Sequence, residues 1–130
     1  SRTLATHKPP TTAEADMARL RCSIHTRFIL NEVATACGVT REEILSASIE
    51  RRLSRPRQLA MWLIRRNTGD TLTKIARVFR RHPSTVHHAL RLTEQRLQDD
   101  PDTLRQAITI EARLGRYATQ PPLHEAAHVH

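Results

Sequence analysis

The residues whose types and spacing bear most on chemistry lie in one short stretch, Arg80-Arg81-His82-Pro83-Ser84-Thr85, followed at once by His87-His88. Guanidinium, imidazole and hydroxyl groups are the donors and acceptors that meet phosphate oxygens and base edges. They are not arranged for catalysis. No nucleophile stands beside a base, no carboxylates pair, and no glycine-rich phosphate loop occurs, so a non-enzyme without a cofactor or small-molecule substrate is expected. Nor do the eight histidines make a metal site, since cysteine or carboxylate partners at ligand spacing are missing. His124, His128 and His130 read as part of a terminal tail. Histidines beside phosphates gain charge as the pH falls, which is expected to strengthen binding of a polyanion below about pH 6.5.

The elements that must position this cluster can be read on either side of it. Leu72, Ile75, Ala76 and Phe79 recur on one helical face, as do Val86, Ala89, Leu90 and Leu97. Proline cannot continue a helix but suits its first turn, so a second helix should start at Pro83 or Ser84. Helix, sharp turn, helix, with small polar groups opening the second helix, is the arrangement that places a recognition helix in the major groove of DNA. An ordinary helical hairpin with a basic elbow has the same pattern.

Charge favours the first reading. The chain carries 21 Lys+Arg against 13 Asp+Glu, a net +8 over 130 residues. Between Arg51 and Arg96 twelve basic residues face only Asp70 and Glu94, a local excess of ten that leaves the remainder slightly acidic. A single basic block spanning the hairpin points to a polyanion. Nearly all of it is arginine, which forks onto phosphate and guanine. Cys22 and Cys37 have no metal-ligand spacing and read as small core residues in a reducing compartment. No apolar run is long enough to cross a bilayer and no leader is evident. A cytoplasmic, nucleoid-associated protein without membrane contact is therefore expected.

Only three glycines and long runs of good helix formers predict an all-α domain. Residues 1–12 read as a flexible arm, from which Arg2 and Lys8 could reach DNA, 13–114 as the helical domain and 115–130 as a flexible tail. Met17, Leu20, Ile24 and Phe28, widened by Ile29, Val33 and Ala36, predict one long first helix, or two with a kink near Ser23, ending at Gly38. Thr40-Arg41-Glu42-Glu43 is a capping box opening a short helix through Ile44 and Leu45. Residues 46–53 read as a loop. Ser54 as cap and Pro56 in the first turn start a helix to about Asn67, with Leu59, Ala60, Leu63 and Ile64 inward and Trp62 at its edge. Thr71 caps the first helix of the hairpin. Asp100 and Pro101 start a last helix to about Leu114, with Leu104, Ile108 and Leu114 inward.

Arg55-Pro56-Arg57-Gln58-Leu59-Ala60-Met61, the hairpin at Thr71-Leu72-Thr73-Lys74-Ile75 and the run Val86-His87-His88-Ala89 together resemble the C-terminal DNA-binding domain of the DnaA family of bacterial replication initiators. The resemblance covers roughly residues 28–99. It implies a compact, Trp-repressor-like helical domain that binds the short repeated boxes of replication origins, possessing the helix-turn-helix already inferred. It implies that Arg57, Gln58 and Arg65 hold phosphates, that His82, Pro83, Ser84 and Thr85 face bases, and that His88 matches a later histidine of the family. The full set of expected DNA contacts is Arg51, Arg52, Arg55, Arg57, Gln58, Arg65, Thr73, Lys74, Arg80, Arg81, His82, Pro83, Ser84, Thr85 and His88.

Three departures from the family pattern bear on specificity. The family's Asp-His-Thr-Thr is His82-Pro83-Ser84-Thr85 here. The glycine-rich turn before it is one residue shorter and reads Arg80-Arg81. A Lys/Arg run from which an arginine enters the minor groove is replaced by Ala47-Ser48-Ile49-Glu50, with Arg51 and Arg52 only afterwards. Phosphate contacts position and base contacts specify, so DNA binding is expected to persist with a weakened or altered box preference. Arg57→Ala is expected to weaken binding to every duplex and lower the salt slope by about one, and Ser84 changes to alter sequence preference. Without a Gly-x-x-x-x-Gly-Lys-[Ser/Thr] loop, a role in replication initiation or its control without ATPase activity is expected. An adaptor that uses the same fold to bind a replication initiation protein, and a transcription factor with its own operator, are the alternatives.

Overall fold

The computed structural model describes residues 12–119, and the side chains of residues 24–116. Its elements are α1 (Thr12–Cys37), α2 (Arg41–Leu45), a 3-10 turn (Arg51–Leu53), α3 (Ser54–Thr68), α4 (Leu72–Phe79), α5 (Pro83–Asp99) and α6 (Pro101–Thr119). No strand occurs among the described residues. The residues taken above as an N-terminal arm up to position 11, those of the tail from 120 on with their histidines, and the side chains of Met17, Leu20 and Cys22 lie outside this description.

α3 is the central helix. It packs against α1, α2, α4, α5 and α6. Leu59, Ala60, Met61, Leu63 and Ile64 are all buried, so it is wrapped on most sides. Around it the core is completed by Ile29, Leu30, Val33 and Ala34 of α1, Ile44 of α2, Ile75, Ala76 and Phe79 of α4, Val86 and Ala89 of α5, and Ala107, Ile110 and Leu114 of α6. The core is aliphatic apart from Phe79, as the scarcity of aromatic residues requires.

Local chemistry sets most boundaries. Gly38 and Gly69 adopt left-handed φ values of +70° and +71° after α1 and α3, a conformation that costs a residue without Cβ little. Thr40 and Glu43 form the reciprocal capping box at α2. The Thr71 hydroxyl accepts from the Lys74 amide at 3.1 Å, and the Asp100 carboxylate accepts from the Asp102 amide at 3.1 Å and the Thr103 hydroxyl at 2.8 Å. Cys37 is half-buried and unbridged, and burial pushes its thiol pKa up.

The structure corrects five expectations. Ser54 is not a cap: the 3-10 turn Arg51–Leu53 feeds straight into α3, Leu53 occupies the cap position with helical dihedrals, and no side chain caps it. That turn also replaces the end of the expected loop and buries Leu53. In α6 the buried stripe is Thr103, Ala107, Ile110 and Leu114, whereas Leu104 and Ile108 are 42% and 58% exposed. The small Ala107 occupies the contact line, and the larger residues one position away are turned out. α6 also continues through Gly115 to Thr119. In α1 the buried positions are Thr26, Ile29, Leu30, Val33 and Ala34, while Ile24 and Ala36 are exposed and Phe28 is half-buried.

Candidate nucleic-acid interface

α4 and α5 form a helix-turn-helix in which the turn itself is held by named groups. Phe79 and Ile75 bury the inner face of α4. The chain reverses at Arg80, whose φ of 56° and ψ of 44° place a non-glycine residue in the left-handed region. Its amide still donates to the Arg77 carbonyl at 3.2 Å, and the Arg81 amide donates to Ala76 at 2.9 Å. α5 then starts with His82 at the cap and Pro83 in the first turn. The Ser84 amide donates to His82 Nδ1 at 3.1 Å, so that nitrogen acts as the acceptor a capping aspartate or serine would supply. The Ser84 hydroxyl lies 2.8 Å from the same nitrogen.

Beyond the cap, α5 presents Ser84, Thr85, His87, His88 and Arg91 to solvent. Ser84, His88 and Arg91 are spaced +4 and +3, which puts them on one face. α4 presents Thr73, Lys74 and Arg77. Beside α5, a groove of about 230 Å³ is lined by Ile49, Ser54, Gln58, Arg81, Thr85 and His88 among others. It joins the start of α3, the segment between α2 and α3, and the opening turns of α5. A larger cavity of about 360 Å³ lies at the other side of the start of α3 and takes in Arg52, Arg55, Arg96 and Asp100.

The basic residues divide sharply by what their charges already meet. Arg57 is 7% exposed. Its Nε donates to the Ile44 carbonyl at 2.8 Å, and its Nη2 lies 3.1 Å from the Glu43 carbonyl and 3.0 Å from that of Ser46. Burial, then the neighbouring charge of Arg81, lowers its pKa. The expectation of a free phosphate clamp at Arg57 is therefore corrected: the guanidinium closes the C-terminal end of α2. Arg81 is half-buried and donates to the carbonyls of Phe79 at 2.8 Å and Ser46 at 3.1 Å. It too ties the segment after α2.

Arg52 pairs with Glu43 and Glu50, Arg55 with Asp100 at 3.3 Å, and Lys74 with Asp70 at 3.5 Å. Arg65 donates to the Asp70 carbonyl at 2.6 Å, and Arg66 pairs with Glu111 while lying over the Trp62 ring. Gln58 accepts from Arg96, and burial first, then the charge of Arg55, lowers the Arg96 pKa. Arg51, Arg77, Arg80 and Arg91 remain. All four are exposed, and their side chains make no hydrogen bond or ion pair among the described residues. Arg77 and Arg91 were absent from the sequence-based set, yet their spacing from Thr73 and Arg80, and from Ser84 and His88, was available to find them.

A model of the bacterial DnaA protein helix-turn-helix matches residues 26–92, which runs from the second half of α1 into the first ten residues of α5. The chain belongs to the DnaA helix-turn-helix family. It is 40% identical over 74 residues to the chromosomal replication initiator protein DnaA of Anaplasma marginale, covering 56% of this chain and 16% of that protein. With the DnaA of Desulfatibacillum aliphaticivorans it shares 33% identity over 87 residues, 67% of this chain and 19% of the relative. With that of Thermomicrobium roseum it shares 29% over 124 residues, 89% of this chain and 27% of the relative. The chain thus spans about a fifth of the length of the curated DnaA proteins it matches. Against the DnaA pattern the change to His82-Pro83 becomes legible. His82 retains the helix-capping acceptor without an anionic charge, and Pro83 retains the first turn without an N–H or a polar side chain.

Proposed function

We propose that the chain is a double-stranded DNA-binding module that acts in, or controls, bacterial chromosome replication initiation, contacting DnaA-box-like sites. The observation that carries this reading is the free set of cations on the helix-turn-helix. Arg77, Arg80 and Arg91 stand unpaired around the exposed Ser84, Thr85 and His88, with Arg51 on the adjoining turn, whereas most other cations of the basic block are already committed. Phosphates need unneutralised charge, because each contact releases counterions from the duplex. Family membership supports the same reading. In this arrangement Arg51, Arg77, Arg80 and Arg91 hold phosphates, with Lys74 and Arg65 assisting once their Asp70 contacts yield. Ser84, Thr85 and His88 read base edges.

The division of cations gives the test. Arg77→Ala or Arg91→Ala lowers affinity for every duplex and reduces the salt slope by about one for each contact removed. Arg66→Ala, which breaks a pair on the far side of α3, leaves the slope unchanged. Equal slopes for wild type and an Arg77→Ala, Arg91→Ala double variant would contradict the assignment.

A second reading, an adaptor that binds a replication protein, is favoured by Leu104 and Ile108. These exposed apolar residues are four apart on α6, a helix outside the segment matched to the DnaA helix-turn-helix.

A further inference from the structure

None of the residues proposed above to touch DNA lines the cavity of about 360 Å³. α1, α3, α5 and α6 meet there, and its volume lies within the roughly 300–1,000 Å³ typical of small-molecule clefts. Two polar groups of α5 on its wall are unexplained by the fold. The first is Thr93, which is 1% exposed. Among the described residues its hydroxyl is the one buried side-chain donor or acceptor without a hydrogen-bond partner. Such an orphan lowers stability, since it gives up water and gains nothing in return. A threonine inside a helix can send its hydroxyl back to the carbonyl one turn earlier. Thr68 does so toward Ile64 at 2.7 Å, but Thr93 does not.

The second is Arg96, half-buried and three positions after Thr93 on the same face of α5. Its guanidinium makes one hydrogen bond among the described residues, to the side-chain oxygen of Gln58, so most of its fork is unspent. The carboxylates of the same wall are already taken. Asp100 pairs with Arg55 and accepts from the first turn of α6, and Asp102 pairs with Arg105. Burial first, then the charge of Arg55, lowers the Arg96 pKa against a smaller opposing pull from Asp100. Arg55 and Arg96 thus lean on a single carboxylate. A partly desolvated guanidinium with a free fork matches a carboxylate or phosphate head in bidentate fashion. Cys37, Pro56 and Leu59 add apolar surface to the same lining. We propose that this cavity is a binding site for a small organic oxyanion, a carboxylate or phosphate head carried on a compact apolar body. Arg96 holds the head, Thr93 donates to it, Arg55 adds charge, and the body rests on Pro56 and Leu59.

Phenyl phosphate, benzoate and inorganic phosphate are the probes, titrated into the protein by calorimetry. A ring-bearing anion should bind at millimolar concentration or below, more tightly than inorganic phosphate. The tighter of phenyl phosphate and benzoate assigns the head group, and either result upholds the site. Arg96→Leu should weaken that probe about tenfold, because a charged hydrogen-bond donor is lost. Thr93→Val should weaken it about fivefold and yet raise the melting temperature of the unliganded protein, a pair of effects that a purely structural hydroxyl would not give. This same-shape change carries the test if Arg96→Leu loses its fold. The Arg77→Ala, Arg91→Ala double variant should bind the probe like wild type, which separates the cavity from phosphate attraction at the helix-turn-helix. In a Cys22→Ser background Cys37 is the remaining thiol, and the bound probe should slow its alkylation by iodoacetamide. Affinity unchanged in Thr93→Val and Arg96→Leu would overturn the proposal. So would Cys37 alkylation unaffected by saturating probe, or no binding of either ring-bearing anion. The salt slope of duplex binding is untouched by these results, so the DNA-binding reading stands or falls separately.

Discussion

At Arg57 the guanidinium lies beneath the backbone of residues 43–46 and makes a fork of hydrogen bonds to three carbonyls. Arg57→Ala takes its side-chain donor from the Ile44 carbonyl and empties a buried site, while the Ser46 carbonyl keeps Arg81 and the Glu43 carbonyl keeps the Ser46 amide. The loss costs on the order of 2 kcal/mol. Arg57→Lys does not recover the loss, because an ammonium cannot reproduce the planar fork. Urea denaturation of the two variants checks this, and a stable Arg57→Ala protein would show that the carbonyls find other donors. Arg80 is the opposite case. Its side chain is free, but its backbone sits in the left-handed region that a side chain makes unfavourable. Arg80→Gly should therefore raise stability by about 1 kcal/mol while lowering the salt slope of DNA binding by about one. The same denaturation and titration experiments read both quantities, and a fall in stability would refute the strain. Neither fate is written in the local sequence. Both residues are arginines beside helix ends, and what separates them is whether carbonyls eleven to fourteen positions away close over the charge.

Among the elements, ends were easier to read than faces. Thr40 with Glu43, Gly38, Thr71, Pro83 and Asp100 with Pro101 act within a turn of their own position, so their chemistry is legible without knowing the fold. Ser54 failed because a 3-10 turn occupies the place where a capped start would begin. The face of α6 failed because periodicity weights the largest apolar residues, while packing put Ala107 and Ile110 against the core. Two of these helix starts also set the response to acid. Hydrogen bonding from Arg52 first, then from the Thr40 amide, holds the Glu43 carboxyl below its ordinary pKa. The Thr103 hydroxyl, then the Asp102 amide and Arg55, do the same for Asp100. A carboxyl with a lower pKa folded than unfolded adds stability above the ordinary carboxylate range, and this is lost as the pH falls through the lowered folded value. Stability should thus decline on acidification below the ordinary carboxylate range. The decline should be shallower in Glu43→Gln and Asp100→Asn, as denaturation across a pH series would show. An identical pH dependence in the variants would place the acid sensitivity elsewhere.

Across the whole molecule, the all-α class and the helix-turn-helix were legible because composition, periodicity and turn chemistry agreed. The excess of ten positive charges was legible too, but not its partition. Salt bridges from Arg55 to Asp100 and from Arg66 to Glu111 span forty-five positions and appear only when the end of α5 and α6 pack back on α3. That packing removes cations from one side of the basic block, whereas Arg77, Arg80 and Arg91 of the helix-turn-helix keep unpaired side chains. The central claim, a duplex-binding face with altered base readout, is tested most directly by fluorescence anisotropy with three labelled duplexes of equal length over a salt series. One carries a DnaA-type box, one a scrambled box and one a random sequence. The account predicts steeply salt-dependent binding to all three, with a box preference that is reduced or displaced relative to the family pattern. Absence of binding to any duplex at low salt would contradict it and leave the adaptor reading.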